Sequence, residues 1–412
     1  MKRGDGHTDQ KIVAFVTLGL VAFGLVMVYS ATSASAAIGN GDPMSFLKRQ
    51  AVYALIGLVL MTVASRFDYH RLRYFSAPLL LTALVLCTAV LVLGPAINGA
   101  RRWFVFGPAS FQPSELAKLA LCLFAAVYLS RRRTPRTFGE LLKPLGLLTA
   151  IFCALIVVEP DLGTTITICG MMLALLLVAG VPIRLLATAS ILALGMGLLA
   201  IYMEPYRRAR VFSFLDPWKD AQGAGFQIVQ ATIGIGSGGV TGAGLGEGVG
   251  KISYLPEAHT DMIFAVIGEE LGLIGATLVI GAFAVLAVVG FRIALRCEDP
   301  FGKLLAAGIT ALVCGQAAIN LAAALGIAPL TGIPLPFVSY GGSSLIVLLA
   351  AVGVLLNIAV NGRVVTASVR DRGRRDSRSR SSRAGSRGSA ARARSERDVR
   401  RVARPRRVAA RS

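Results

Sequence analysis

Carboxylates and cations at the edges of long apolar runs are the groups in this sequence that can do chemistry. Glu115 and Lys118 stand three apart at the start of one run, so they share a helix face. They form either an ion pair that carries two charges into a membrane or a functional pair, because intramembrane charges are expensive and purposeful. Pro113-Ser114-Glu115 also reads as a helix start, where an acid favours the N-terminal dipole. Arg101-Arg102-Trp103 offers two cations and an amphipathic ring. Headgroup anchoring is the simpler reading, and a clamp on a pyrophosphate is the functional one. Asp261 closes Tyr254-Leu-Pro-Glu-Ala-His-Thr-Asp261 just ahead of an apolar span, and reads first as the N-cap of a helix from Met262. His259 is one of three histidines in the chain. Glu269 and Glu270 point in different directions two turns into the same span, so at least one must face protein or water. Glu159-Pro-Asp161 has the chemistry of a turn between two spans.

These residues need elements to hold them, and the composition says which. Of 412 residues, 55% are hydrophobic and 16% charged. A soluble globular chain is about a quarter charged, so a soluble enzyme is excluded and a polytopic membrane protein is indicated. Apolar runs lie near 12–30, 50–65, 75–95, 114–130, 144–158, 163–181, 185–203, 262–291, 304–325 and 342–360. Leu304–Gly362 holds no charged residue or histidine and is too long for one crossing of about 20 residues, so it is read as two helices joined by a Pro/Gly-rich loop. The expectation is an all-α protein with ten transmembrane helices and a large outer loop, 204–261, between helices 7 and 8. With the N-terminus inside, the inner segments carry 15 basic residues and the short outer loops four, which places both termini in the cytoplasm.

The net charge of +21 sits mostly in one appendix: residues 363–412 hold 18 arginines and four acids. Such a tail cannot bury a core, is expected to be disordered and cytoplasmic, and suits anionic lipid; nucleic acid is not the expected partner. The domain proper is therefore 1–362. The six cysteines form no CxxC pair and read as small core residues. Gly234-Ile-Gly-Ser-Gly-Gly239 matches GxGxxG but follows no strand, so it reads as close backbone approach rather than a dinucleotide site. Phe226, Val229 and Ile233 before it predict a short helix on the membrane surface. The polar loops 96–114, 204–261 and 326–344 all open on the outer side, which places function there.

Several motifs occur in order along 12–360: Arg102-Trp103, Gln112-Pro-Ser-Glu-Leu-Ala-Lys118, Glu159-Pro-Asp-Leu-Gly-Thr164, Leu255-Pro-Glu-Ala-His-Thr-Asp261, Gly268-Glu-Glu-Leu-Gly272 and Pro336-Phe-Val-Ser-Tyr-Gly-Gly-Ser-Ser344. Together they resemble the SEDS family (shape, elongation, division and sporulation), the group of FtsW and RodA. Lys251 and Tyr254 make the chain most similar to the cell-division branch. Met262, Gly248 and Phe226 depart from the usual Phe, Ser and Tyr, and the Arg-rich tail is not part of the common pattern.

The resemblance implies a bacterial plasma-membrane peptidoglycan glycosyltransferase. It would join lipid II disaccharide units to a lipid-linked glycan through β-1,4 bonds at the division septum, on the extracytoplasmic face. It implies Asp261 as the catalytic base and Arg101, Arg102, Trp103, Glu115, Lys118, Lys251, His259 and Ser343 as substrate-binding residues. A class B penicillin-binding transpeptidase and other divisome proteins are the implied partners. No metal ligand is assigned, and a bound divalent cation is the one cofactor considered, as a substitute for protein cations at the pyrophosphate. Two other classes stay open at this point: a lipid II flippase, and a divisome organiser without catalysis. Clustering of the polar residues at one face argues against a path across the bilayer.

Overall fold

The computed structural model describes residues 4–37, 43–97, 99–107, 109–132, 134–223, 225–248 and 258–362. Lys251, Tyr254 and the tail 363–412 lie outside the described residues.

In lipid every backbone amide must be satisfied within its own segment, so the apolar runs become helices. They are α1 (Gly4–Ala37), α2 (Pro43–Arg66), α3 (Leu72–Leu93), α4 (Pro113–Arg131), the short α5 (Phe138–Leu141), α6 (Leu147–Val158) and α7 (Leu162–Val178). Then come α8 (Ile183–Met203), α9 (Pro205–Leu215), α10 (Phe226–Ser237), α11 (Ile263–Arg296), α12 (Pro300–Ala324) and α13 (Gly342–Asn361). Among the described residues nine segments are long and apolar enough to cross a membrane, with α5 and α6 counted as the single run Phe138–Val158. The expected tenth, α7, has 17 residues. It is cut short where Gly180 enters the left-handed region at φ 80° and Pro182 follows.

The 304–362 segment divides into α12 and α13 around a loop, as its length requires. Two features were not foreseen. Residues 96–112 contain an antiparallel hairpin, β1 (Phe104–Phe106) with β2 (Ala109–Phe111), in a chain read as wholly α. The large loop also carries α9 besides the expected short helix, which is α10. The stripe of α10 buried against protein is Ile228, Val229, Ala231 and Gly234, while Ile233 is exposed.

At the centre α12 packs against α4, α7 and α11, and α13 packs along α2. Close approach depends on small residues, because lipid tails are as apolar as leucine and shape fit drives helix association. A Cβ on Gly353 of α13 would strike the Met61 carbonyl of α2. The end of the bundle holding the start of α1 is tied by charge. Asp9 pairs with Arg292 at 2.6 Å and with Arg296, and Arg73 with Asp299 at 2.9 Å. Asn357 donates to the Ser65 carbonyl at the same end.

α11 is broken at Gly272, whose φ of 62° and ψ of −158° suit only glycine. The gap in its ladder is filled by the glycine-rich loop after α10. Leu273 N donates to the Gly239 carbonyl at 3.0 Å and Ile274 N to the Val240 carbonyl at 3.2 Å. In return, the Ala243 and Gly244 amides donate to the carbonyls of Glu269 and Glu270, both at 3.0 Å. Irregular backbone at membrane depth survives where protein satisfies it. The glycine run is thus explained by close approach, since a Cβ on Gly242 would meet the Glu270 carbonyl group.

Candidate active site

The opposite end of the bundle gathers the chemistry. α4 starts at Pro113 after Gln112, and its first turns bury Ser114, Glu115 and Lys118. The Lys118 ammonium donates to Glu115 Oε1 at 2.9 Å and to Gln316 Oε1 of α12 at 2.7 Å. Glu115 Oε2 has no hydrogen-bond partner among the described residues. The predicted ion pair is therefore real, completely buried, and shared with a third group. Gln316 passes the contact on by donating Nε2 to the Pro334 carbonyl at 3.0 Å.

One turn further along α12, Asn320 Nδ2 donates to the Asp261 carbonyl and to the Ile333 carbonyl, each at 2.8 Å. Asp261 is half-buried, in a turn before α11. Met262, not Asp261, occupies the capping position of α11, and its own side chain makes no capping hydrogen bond. The N-cap expectation for Asp261 is thereby corrected: the helix begins one residue later. Thr260 Oγ1 donates to Asp261 Oδ1 at 3.3 Å. His259 sits in an aromatic cluster, its ring 5.0 Å from Phe46 and 5.5 Å from Tyr340, and its carbonyl accepts from the Tyr340 amide at 2.9 Å. Ser343 is buried at the start of α13, where its Oγ accepts from the Gln112 amide at 3.3 Å.

The two arginines act at helix C-termini, where carbonyls lack partners and the dipole is negative. Exposed Arg101 donates to the Val92 carbonyl near the end of α3 at 3.2 Å. Arg102 donates Nε to the Glu159 carbonyl at 2.6 Å and Nη2 to the Pro160 carbonyl at 2.5 Å, beyond the end of α6. Trp103 is half-buried beside it. Arg207 of α9 donates to the Val157 carbonyl at the same helix end.

Glu159-Pro-Asp161 is a turn, as predicted, and something more. Asp161 caps α7, Oδ1 accepting from the Thr164 amide at 2.9 Å, while Oδ2 accepts from Gln112 Nε2 at 3.1 Å. Glu159 is fully buried, and neither of its carboxyl oxygens has a hydrogen-bond partner among the described residues. Burial, with Asp161 beside it, pushes its carboxyl up to about 8 against the pull of Arg102.

The structure therefore joins Glu115, Lys118 and Asp261 through α12, sets Ser343 against the start of α4, and commits Arg101 and Arg102 to helix ends. Gln316 and Asn320 were not singled out, and Gln112 was named only as the start of a motif, without a role. The signal was present: Gln316 and Asn320 are four apart within a 59-residue stretch devoid of charge, where a polar amide must find a partner. Among the described residues no three His, Cys, Asp or Glu side chains gather to hold a metal ion.

A bundle of apolar crossings whose buried charges and half-buried acid meet at one end defines a multi-pass membrane protein with an enzyme-like site at one face. Residues 10–364 match the cell cycle protein family of FtsW, RodA and SpoVE, and the chain belongs to it. It is 42% identical over 351 residues to a probable peptidoglycan glycosyltransferase FtsW of Geobacter metallireducens, covering 84% of this chain and 94% of that one. It is 41% identical to the stage V sporulation protein E of Bacillus subtilis, over 84% and 96% of the two chains. Among solved structures, it resembles a chain from a peptidoglycan synthase complex that coordinates polymerization with crosslinking. That likeness has a TM-score of 0.71 and 36% identity, over 85% and 97% of the chains. The rod shape determining protein RodA of Thermus thermophilus gives a TM-score of 0.63 at 32% identity, over 85% and 96%.

Proposed function

We propose that this chain is a peptidoglycan glycosyltransferase that polymerises lipid II during septal wall synthesis, with Asp261 as its general base. The chain would sit in the bacterial cytoplasmic membrane with ten crossings. α7 spans about 26 Å at 1.5 Å per residue, enough for a thin or locally adapted crossing. Ala179, just past its end, accepts from Thr134 beyond the end of α4, which supports a return to the same side. The charge asymmetry of the connecting segments supports an orientation with both termini inside and Asp261 outside.

The acceptor sugar hydroxyl attacks the anomeric carbon of the lipid-linked glycan, and the pyrophosphate-bearing polyprenyl leaves. The attack needs a base on the hydroxyl proton. The pyrophosphate leaves as a stable anion and needs nearby positive charge rather than an acid. Asp261 carries the reading because its carboxylate is half-buried at the polar end and does not occupy the helix-capping position. Lys118 is locked between Glu115 and Gln316, so it supports the site from within, whereas Arg101, which holds the Val92 carbonyl through Nη1, is exposed and can still reach an anionic headgroup with the rest of its guanidinium. A class B transpeptidase is the proposed partner, supported by the likeness to a subunit of a synthase complex that polymerises and crosslinks.

The test is Asp261→Asn, which keeps size and removes the basic carboxylate. Glycan formation from purified lipid II should fall about 10²–10⁴-fold, while lipid II binding and thermal unfolding stay as in the parent. Near-normal polymerisation would take Asp261 out of the reaction.

A further inference from the structure

α12 crosses the centre of the bundle without a single charge beyond Lys303, yet it carries two buried amides one turn apart. Gln316 is wholly buried and Asn320 nearly so. A primary amide leaving water without partners is costly, so the groups that satisfy it are the natural measure of its role. For Asn320 those groups are specific. Its Nδ2 has two hydrogens, and both are spent, one on the Asp261 carbonyl and one on the Ile333 carbonyl, at 2.8 Å each. Gln316 binds the next carbonyl along, Pro334, at 3.0 Å, and is itself held by Lys118 at 2.7 Å.

The result is one continuous polar line, from the Glu115–Lys118 pair through α12 to the backbone of Asp261. Asp261 needs this support because its own surroundings are irregular. It lies in a turn, ahead of a helix whose N-cap residue, Met262, makes no side-chain capping bond. The loop after α12 is drawn to the same place, since Tyr340 N donates to the His259 carbonyl, two residues from Asp261. The Asn320 fork thus clamps two backbone segments together at the position of the proposed base.

We infer that Asn320 is a positioning residue of this enzyme, fixing the Asp261 carboxylate to take the acceptor hydroxyl proton by holding the Asp261 carbonyl; the inference rests on Asp261 being the base. Gln316 holds the neighbouring carbonyl and links the clamp to Lys118. Asn320 does not touch the reacting atoms. Its effect is on geometry, and an ångström of misplacement is worth about 10²-fold in rate.

The test uses the purified full-length protein and lipid II. Asn320→Leu keeps approximate size and removes the donor. It should lower kcat about 10²-fold at a temperature where the variant is still folded, with KM for lipid II close to the parent; the unfolding temperature should fall, because the Asp261 and Ile333 carbonyls both lose their donor. Asn320→Gln restores the donor on a longer stem and should recover much of the lost kcat. In an Asp261→Asn background, Asn320→Leu should cause little further loss, because residues that act as one unit are not additive. If Asn320→Leu fails to fold, Asn320→Ser, with one donor in place of two, takes its place under the same criteria. Wild-type kcat in Asn320→Leu with an inactive Asp261→Asn would overturn the positioning role alone. An active Asp261→Asn would overturn the base and the clamp together. Equal losses from Asn320→Leu in both backgrounds, or a folded Asn320→Gln as inactive as Asn320→Leu, would reduce Asn320 to packing.

Discussion

Removing the Lys118 ammonium is the sharpest physical test of the buried charge pair. Lys118 has no solvent exposure, and its partner Glu115 is 1% exposed. Lys118→Met keeps the length of the stem and deletes the charge. Glu115 is then an unpaired carboxylate in the bundle interior, a situation that costs about 3–5 kcal/mol. Gln316 Oε1 loses its donor as well, at about 1–3 kcal/mol for a buried acceptor left unsatisfied. Taking the ion-pair figure alone, the folded-to-unfolded ratio should drop about 10²–10⁴-fold, a tenfold change for each 1.4 kcal/mol. Adding Glu115→Gln to Lys118→Met removes the stranded charge and should restore most of that stability, because a buried pair replaced by neutral groups is often near neutral. The readout is the denaturation midpoint of the purified protein in detergent, with polymerisation of lipid II measured in parallel. The double variant should regain stability without regaining full activity, since the Gln316 contact stays lost. Lys118→Met as stable as the parent, or a double variant no better than the single one, would show that burial does not set the energetics of this pair.

Two further outcomes follow from other parts of the fold. Gly272→Ala should destabilise by at least the 1–3 kcal/mol or so of a disallowed backbone conformation, because its Cβ would also meet the Gly242 amide nitrogen and the Val240 carbonyl. Gly281→Ala, in an open stretch of the same helix, should instead be neutral or stabilise by up to about 1 kcal/mol in the same melting experiment. Glu159 holds its proton up to about pH 8 in the folded state but releases it near the ordinary carboxyl value when unfolded. The unfolded state therefore binds fewer protons between those two values, so stability should fall as pH rises from about 4.5 to about 8. Glu159→Gln should flatten that slope in midpoints measured across the range, and an unchanged slope would assign it to other groups.

Much of this was legible from the residues. Charge-free runs announced the helices, and a 59-residue apolar stretch announced the α12–α13 division because one crossing cannot use that length. The three-residue spacing of Glu115 and Lys118 announced their pairing. The hairpin 104–111 escaped because three-residue strands carry too few positions to show alternation. The start of α11 was misplaced by one residue, since Asp261 has the right chemistry for a cap and sequence cannot reveal that the turn extends to Met262. Arg101 and Arg102 looked like free cations because the carbonyls they hold come from helix ends, with those held by Arg102 nearly sixty residues away. Gln316 and Asn320 were readable as anomalies in an apolar helix, but their partners were set by tertiary packing alone.

The break in α11 changes what kind of object its outer segment is. An ordinary transmembrane helix closes its hydrogen bonds on itself and can tilt or slide as an independent rod. Here the four groups that would close the two helical bonds 273→269 and 274→270 each bond instead to residues 239–244. The segment from Ile263 to Leu271 is thus seamed to the loop, and neither can shift register without unmaking buried bonds that have no water to replace them. The seam acts as a joint with one seated position. Its amides should exchange hydrogen together or hardly at all, and a residue inserted among 239–244 would be felt at the base of the turn that carries Asp261.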